Sequence, residues 1–144
     1  GKVGIPDQIL LKPGKLTPEE WEIMKTHAEL GSNAIAQAEA DAEKPVEFLA
    51  IAKLIARSHH EKWDGSGYPD ALAGDDIPIA ARLMALADVF DALTCKRVYK
   101  PAFTFDDAYR IIVDGRGSHF DPDIVDAFVR EYPTFMSIAK AYAE

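Results

Sequence analysis

Two adjacent imidazoles, His59 and His60, an earlier histidine, His27, and an acid set in an apolar run, Asp88, are the side chains of this 144-residue sequence best suited to hold a transition metal. Imidazole nitrogens with a carboxylate oxygen make a donor set for Fe, Mn or Zn, and a cation so held activates water by lowering its pKa. Each residue also has an ordinary reading. His27 lies on the stripe Met24, His27, Gly31, Ala34, Ala38 and points toward a core, where a histidine can simply be packed. His59 and His60, as helix neighbours, point about 100° apart, so both face one site only beside a helix end. Asp88 sits inside Met84-Ala85-Leu86-Ala87-Asp88-Val89-Phe90, where burial is expected. A carboxylate there is costly unless it binds a cation or pairs with Arg82, Arg57 or a lysine. Taken together, the four outweigh their separate ordinary readings.

Other candidates surround them. Asp91 is one turn beyond Asp88 and suited to orient a ligand or a water, a helix-internal hydrogen bond being the alternative. Cys95-Lys96-Arg97-Val98-Tyr99-Lys100-Pro101 is a small basic cluster in which Arg97 and Lys100 suit phosphate contact, with Lys96 as readily a solvated surface group. Cys95 has no cysteine or histidine partner in sequence and is read as packing. His119 precedes a helix start and is read as structural.

The elements that must position these residues are helical, because apolar residues recur at helical spacing and alternation of period two is brief. An all-α helical bundle is expected. Thr17-Pro18-Glu19-Glu20 supplies an N-cap, a first-turn proline and a capping-box acid for a helix running to about Ala40. A second helix follows Pro45 and ends near His59 and His60, where Glu61-Lys62-Trp63-Asp64-Gly65-Ser66-Gly67-Tyr68-Pro69 is a turn-rich loop. Pro78 to about Thr94 is the most apolar helix, hydrophobic nearly all round and therefore expected at the centre. Helices from Thr104 to about Val113 and from Asp121 to about Glu131, then a short one beyond Pro133, complete the chain as one domain.

Composition narrows the function. Sixteen Lys and Arg against 24 Asp and Glu argue against a broad grip on duplex nucleic acid. A single cysteine argues against a disulfide-stapled secreted module and favours a reducing compartment, the cytoplasm. No long apolar run or leader pattern suggests insertion into a membrane.

Three stretches carry a resemblance: His59-His60-Glu61-Lys62-Trp63-Asp64-Gly65-Ser66-Gly67-Tyr68-Pro69, then Ala87-Asp88-Val89-Phe90-Asp91-Ala92-Leu93-Thr94, then Arg97-Val98-Tyr99-Lys100. Gly1-Lys2-Val3-Gly4-Ile5-Pro6-Asp7, Met24-Lys25-Thr26-His27 and Ser118-His119-Phe120-Asp121-Pro122 support it. The sequence resembles the HD-GYP family, a branch of the HD metal-dependent phosphohydrolases, over nearly its whole length. The resemblance implies a helical domain that hydrolyses cyclic di-GMP to the linear dinucleotide pGpG, and onward to GMP, with two or three Fe or Mn ions. It implies that His27, His59, His60 and Asp88 are metal ligands, that Lys2 aids charge neutralisation, and that Arg97 and Lys100 hold phosphates. Tyr68 belongs to the Gly67-Tyr68-Pro69 motif, implied in shaping the site and in contacts with diguanylate cyclase (GGDEF) domains. The family's His-Asp doublet is expected just upstream of Gly1, with N-terminal helices and a sensor or receiver domain before it, so the segment as written is expected to be impaired. A non-catalytic cyclic di-GMP receptor or docking module is the alternative, and a purely structural helical interaction domain the third.

Overall fold

The computed structural model describes residues 2–42, 47–94 and 103–141. Pro45 and the basic cluster with Cys95, Arg97 and Lys100 lie outside the described residues. Among those described, the fold is helical, and the β-type pairs are the isolated bridges Asp64 with Ala73 and Arg116 with Phe120.

A 3-10 turn, Lys2–Gly4, and α1, Asp7–Leu10, lead to α2, Pro18–Lys25, which starts as its sequence dictates. The Thr17 hydroxyl accepts from the Glu20 amide at 3.1 Å, and the Glu20 carboxylate accepts from the Thr17 amide at 2.9 Å. The single helix expected from Thr17 to Ala40 is instead two, because Thr26 closes α2. Its amide and its hydroxyl both donate to the Ile23 carbonyl, a tight i to i+3 turn. The turn lets α3, His27–Asp41, start at a histidine. Sequence periodicity passes through such a break, since the face is kept while the axis is interrupted.

Next come α4, Glu47–Ser58, and α5, Ile79–Thr94, followed by α6, Phe105–Asp114, α7, Pro122–Arg130, and α8, Tyr132–Ala141. Thr104 caps α6 by accepting from the Asp107 amide at 3.1 Å, and Asp121 caps α7 by accepting from the Asp123 amide at 2.9 Å. In space α3 packs on α4, α4 on α5, and α5 on both α6 and α7.

The core is in the C-terminal half. Leu86 and Phe90 of α5 meet Ala108 and Ile112 of α6, Phe120, and Val125 and Phe128 of α7. The Phe128 ring stands 5.7 Å from Phe90 and 5.0 Å from Phe135, both edge-on, an arrangement that adds to the burial itself. This packing fixes one face of α5 only. The central position expected for that helix is therefore half right: Ala81, Ala85, Leu86 and Phe90 are buried, while Ile79, Leu83 and Met84 are exposed.

Candidate metal centre

The C-terminal end of α4 solves the geometric problem that two adjacent histidines pose. The His59 amide still donates to the Ile55 carbonyl at 3.0 Å, as a last helical bond, and His60 lies just past it in a turn. Both imidazoles thereby reach one place, their ring centres 4.1 Å apart. His59 Nδ1 lies 2.7 Å from the Ile55 carbonyl oxygen. A carbonyl only accepts, so Nδ1 carries the proton and Nε2 presents a lone pair.

Asp88 of α5 comes to the same place. One donor atom from each of His59, His60 and Asp88 falls within 4.8 Å of the others. The burial expected of Asp88 is overturned, for this residue is exposed. The core takes the other face of α5, and Asp88 is left on the open side, at the edge of a groove lined by Phe48, Ile51, Ile55 and Met84. The arginines weighed as its partners are engaged elsewhere, Arg57 with Asp70 and Arg82 with Asp121.

His27, 5% exposed, stands beside this trio rather than within it. Its ring centre is 4.7 Å from that of His60, edge to face, and its Nε2 is 3.4 Å from the Tyr68 hydroxyl. Burial pushes the His27 imidazole down to about 4 and that of His60 down to about 3. The neighbouring His59 and the Lys2 ammonium push both in the same direction. At neutral pH these rings are uncharged, the form that donates to a metal. Burial, helped by the charge of Asp88, raises the Tyr68 phenol to about 12, so its proton is retained.

Tyr68 stacks on His60, the ring centres 5.0 Å apart and the planes 13° from parallel. Gly67 is what permits this. A Cβ at residue 67 would stand 2.5 Å from the Lys62 amide nitrogen, 2.6 Å from the Glu61 Cα, and against the His60 carbonyl oxygen. Two backbone strands cross where no side chain fits. Gly67→Ala is expected to destabilise the protein by about 1–3 kcal/mol, the range for overpacking. It should also weaken metal binding; thermal melting and metal titration would check both, and an unchanged melt would mean that the loop yields freely.

Above the trio is a cavity of about 400 Å³ whose wall also includes Tyr68, Trp21 and Lys25 of α2, and Lys62 and His119. Trp21, Lys25 and Lys62 were not singled out by sequence reasoning. Their one signal is that Trp21 and Lys25, four apart on a helix, share a face. His119, read as structural, does both jobs: its carbonyl accepts from the Trp63 amide at 3.1 Å, and its ring reaches the cavity. Burial, with Lys62 next, holds the His119 imidazole below its ordinary range. Lys2 is exposed on its 3-10 turn, near enough for its charge to act on His27 and His60. Asp91 is exposed on α5 and is outside both the donor trio and the cavity wall as described.

Among the described residues no helix is long and apolar enough to cross a membrane. The HD domain family matches residues 1–124. A probable cyclic di-GMP phosphodiesterase of Vibrio cholerae is 58% identical over the whole chain, which covers 33% of that relative. A cyclic di-GMP phosphodiesterase of the same organism is 57% identical over the whole chain, which covers 29% of it. A 3'3'-cGAMP-specific phosphodiesterase 2, also from Vibrio cholerae, is 46% identical over 96% of the chain and 25% of its own length. The chain thus spans a third or less of these relatives. Its histidine pair at a helix end, its Asp88 on the next helix and its Gly-Tyr-Pro loop stand in the expected order, and the chain belongs to the HD domain family, in its HD-GYP branch.

Proposed function

We propose that the protein of which this chain is part is a metal-dependent phosphodiesterase that hydrolyses cyclic di-GMP to linear pGpG and onward to GMP. The observation that carries this reading is the meeting of His59, His60 and Asp88 within 4.8 Å, with His27 beside them and burial keeping both His27 and His60 neutral. That donor chemistry suits a divalent cation, Fe or Mn, with His27 as a fourth ligand. A bound cation supplies Lewis acidity at the phosphoryl group and makes water more acidic.

The chain's own residues do the rest. His59 is oriented by its Nδ1–H bond to Ile55, so that Nε2 faces the site. Lys2 contributes positive charge next to His27 and His60, in keeping with neutralising a phosphodiester. Tyr68, protonated, offers an O–H donor and an aromatic face on the cavity, suited to a purine nucleotide. Arg97 and Lys100 hold the phosphates in this reading, and Asp91 orients a ligand or water. Relatives named for cyclic di-GMP and for 3'3'-cGAMP make the second purine the open point of specificity.

We further propose that the chain is the larger part of an HD-GYP domain. A preceding segment adds the His-Asp doublet, a sensor or receiver domain stands upstream of it, and GGDEF partners contact the Gly67-Tyr68-Pro69 loop, all in the cytoplasm. An apolar groove lined by Phe48, Ile51, Ile55 and Met84, which adjoins His59 and Asp88, supports a covering segment there.

The test is hydrolysis of cyclic di-GMP by the chain joined to its natural preceding sequence, purified without oxygen and supplied with Fe(II) or Mn(II). Linear product is expected. Full metal occupancy without turnover would favour a non-catalytic receptor or docking module.

A further inference from the structure

Glu61, next to His60, is 2% exposed, and its carboxylate belongs neither to the donor trio nor to the cavity wall. Each oxygen accepts one backbone amide of the loop beyond Tyr68: Oε2 from Asp70 at 2.8 Å and Oε1 from Leu72 at 2.9 Å. Between those two amides is Ala71, whose φ of 53° is a left-handed conformation that an L-residue adopts only when its surroundings impose it. Four residues earlier, Arg57 also holds this loop, its Nε and a terminal nitrogen each 2.8 Å from the Asp70 carboxylate. The end of α4 therefore carries the histidine pair and, on residues 57 and 61, two grips on the segment that follows Tyr68.

We propose that Glu61 is a positioning residue that holds the Tyr68 ring over His60 and His27, making the aromatic wall and the donor trio one rigid unit. On its own side Tyr68 is held by a 3.3 Å amide bond to the His60 carbonyl, by the face of the His60 ring, and by edge contacts with Trp21 and with His27, whose Nε2 is 3.4 Å from its hydroxyl. The chain direction after it is set by the amides of residues 70 and 72. A carboxylate is the one side chain that offers an acceptor to both; an amide in its place turns an NH2 group on one of them. The inference rests on Tyr68 being a ligand-contacting residue of the proposed phosphodiesterase.

The test uses the metal-loaded protein with its preceding segment and the variants Glu61→Gln, Tyr68→Ala and the two combined. In Glu61→Gln, hydrogen exchange at the Asp70 and Leu72 amides is expected to quicken while that at Ile112, in the core, stays as in the parent. Turnover of cyclic di-GMP should fall roughly 10–100-fold, the range for groups that orient a site's ligands, through KM more than through metal content. The double variant should be no worse than Tyr68→Ala, since Glu61 acts through that ring. Parent-like exchange at residues 70 and 72, or penalties that multiply, would overturn the proposal. If Glu61→Gln does not fold, Glu61→Asp, which keeps the charge and shortens the reach, should show the same selective loss. Loss of Ile112 protection in both would also overturn it, because Glu61 would then hold the whole fold. A parent protein that fails to hydrolyse cyclic di-GMP sinks the functional reading, and the exchange comparison still judges the grip.

Discussion

Asp88→Ala is expected to lower metal affinity by at least about 100-fold, the upper range for losing a mere supporting group, while shifting the stability of the metal-free protein by no more than about 0.5 kcal/mol. The two halves of this expectation have one cause. Asp88 is exposed on the face of α5 turned away from the Leu86 and Phe90 core, so its removal opens no cavity and strands no buried partner. Its oxygen is nonetheless within 4.8 Å of donor atoms on both His59 and His60, so a cation held there loses its only anionic donor within the trio. Metal content after dialysis, read beside a thermal melt of the apo-protein, checks both. Parent-like metal content would remove Asp88 from the ligand set. A melt lowered by several degrees would favour the structural role that burial in an apolar run suggested as the alternative.

That suggestion shows where sequence was informative and where it stopped. Local chemistry was legible: the Thr17-Glu20 capping box, the caps at Thr104 and Asp121, and the end of α4 at the histidine pair all stand where the side chains call for them. The meeting of His59, His60 and Asp88 was legible too, because the loop glycines force a helix end beside the pair. Burial was not. The composition of α5 reports how much apolar surface the helix offers, not which neighbours take it, and Asp88, Leu83 and Met84 are on the side that α6 and α7 leave open. The cavity wall was harder still. Trp21, Lys62 and His119 come from three separate parts of the chain and carry no shared spacing, so only the path of the backbone brings them together. Glu61 is one letter of the His-His-Glu stretch, and its two amide partners flank a turn conformation at Ala71 that no propensity foretells.

Asp121→Ala should show the reverse of the Asp88 pattern: a loss of about 3–5 kcal/mol in stability, as expected for breaking a buried ion pair, with metal affinity of the folded protein kept. Its Oδ2 accepts from an Arg82 terminal nitrogen at 2.7 Å, with the two side chains 5% and 15% exposed. Its Oδ1 accepts from the Asp123 amide and caps α7. Removing the carboxylate takes away the cap and leaves the largely buried guanidinium with the exposed Asp75 carboxylate, 3.6 Å away, as its remaining ion pair among the described residues. Arg82 is itself a junction. Its Nε donates to the Ile77 carbonyl at 2.9 Å and its guanidinium carbon is 6.0 Å from the Trp63 ring, so it ties the start of α5 and the loop after the histidines to α7. Most of the loss is the cost of the stranded charge rather than the worth of the pair, so the second change Arg82→Met should recover part of it. Denaturant unfolding of the single and double variants measures this directly. A double variant less stable than Asp121→Ala alone would mean that the bonds of Arg82 to Ile77 and Trp63 outweigh its isolation, placing the stabilising role of the junction in the loop attachment rather than in the ion pair.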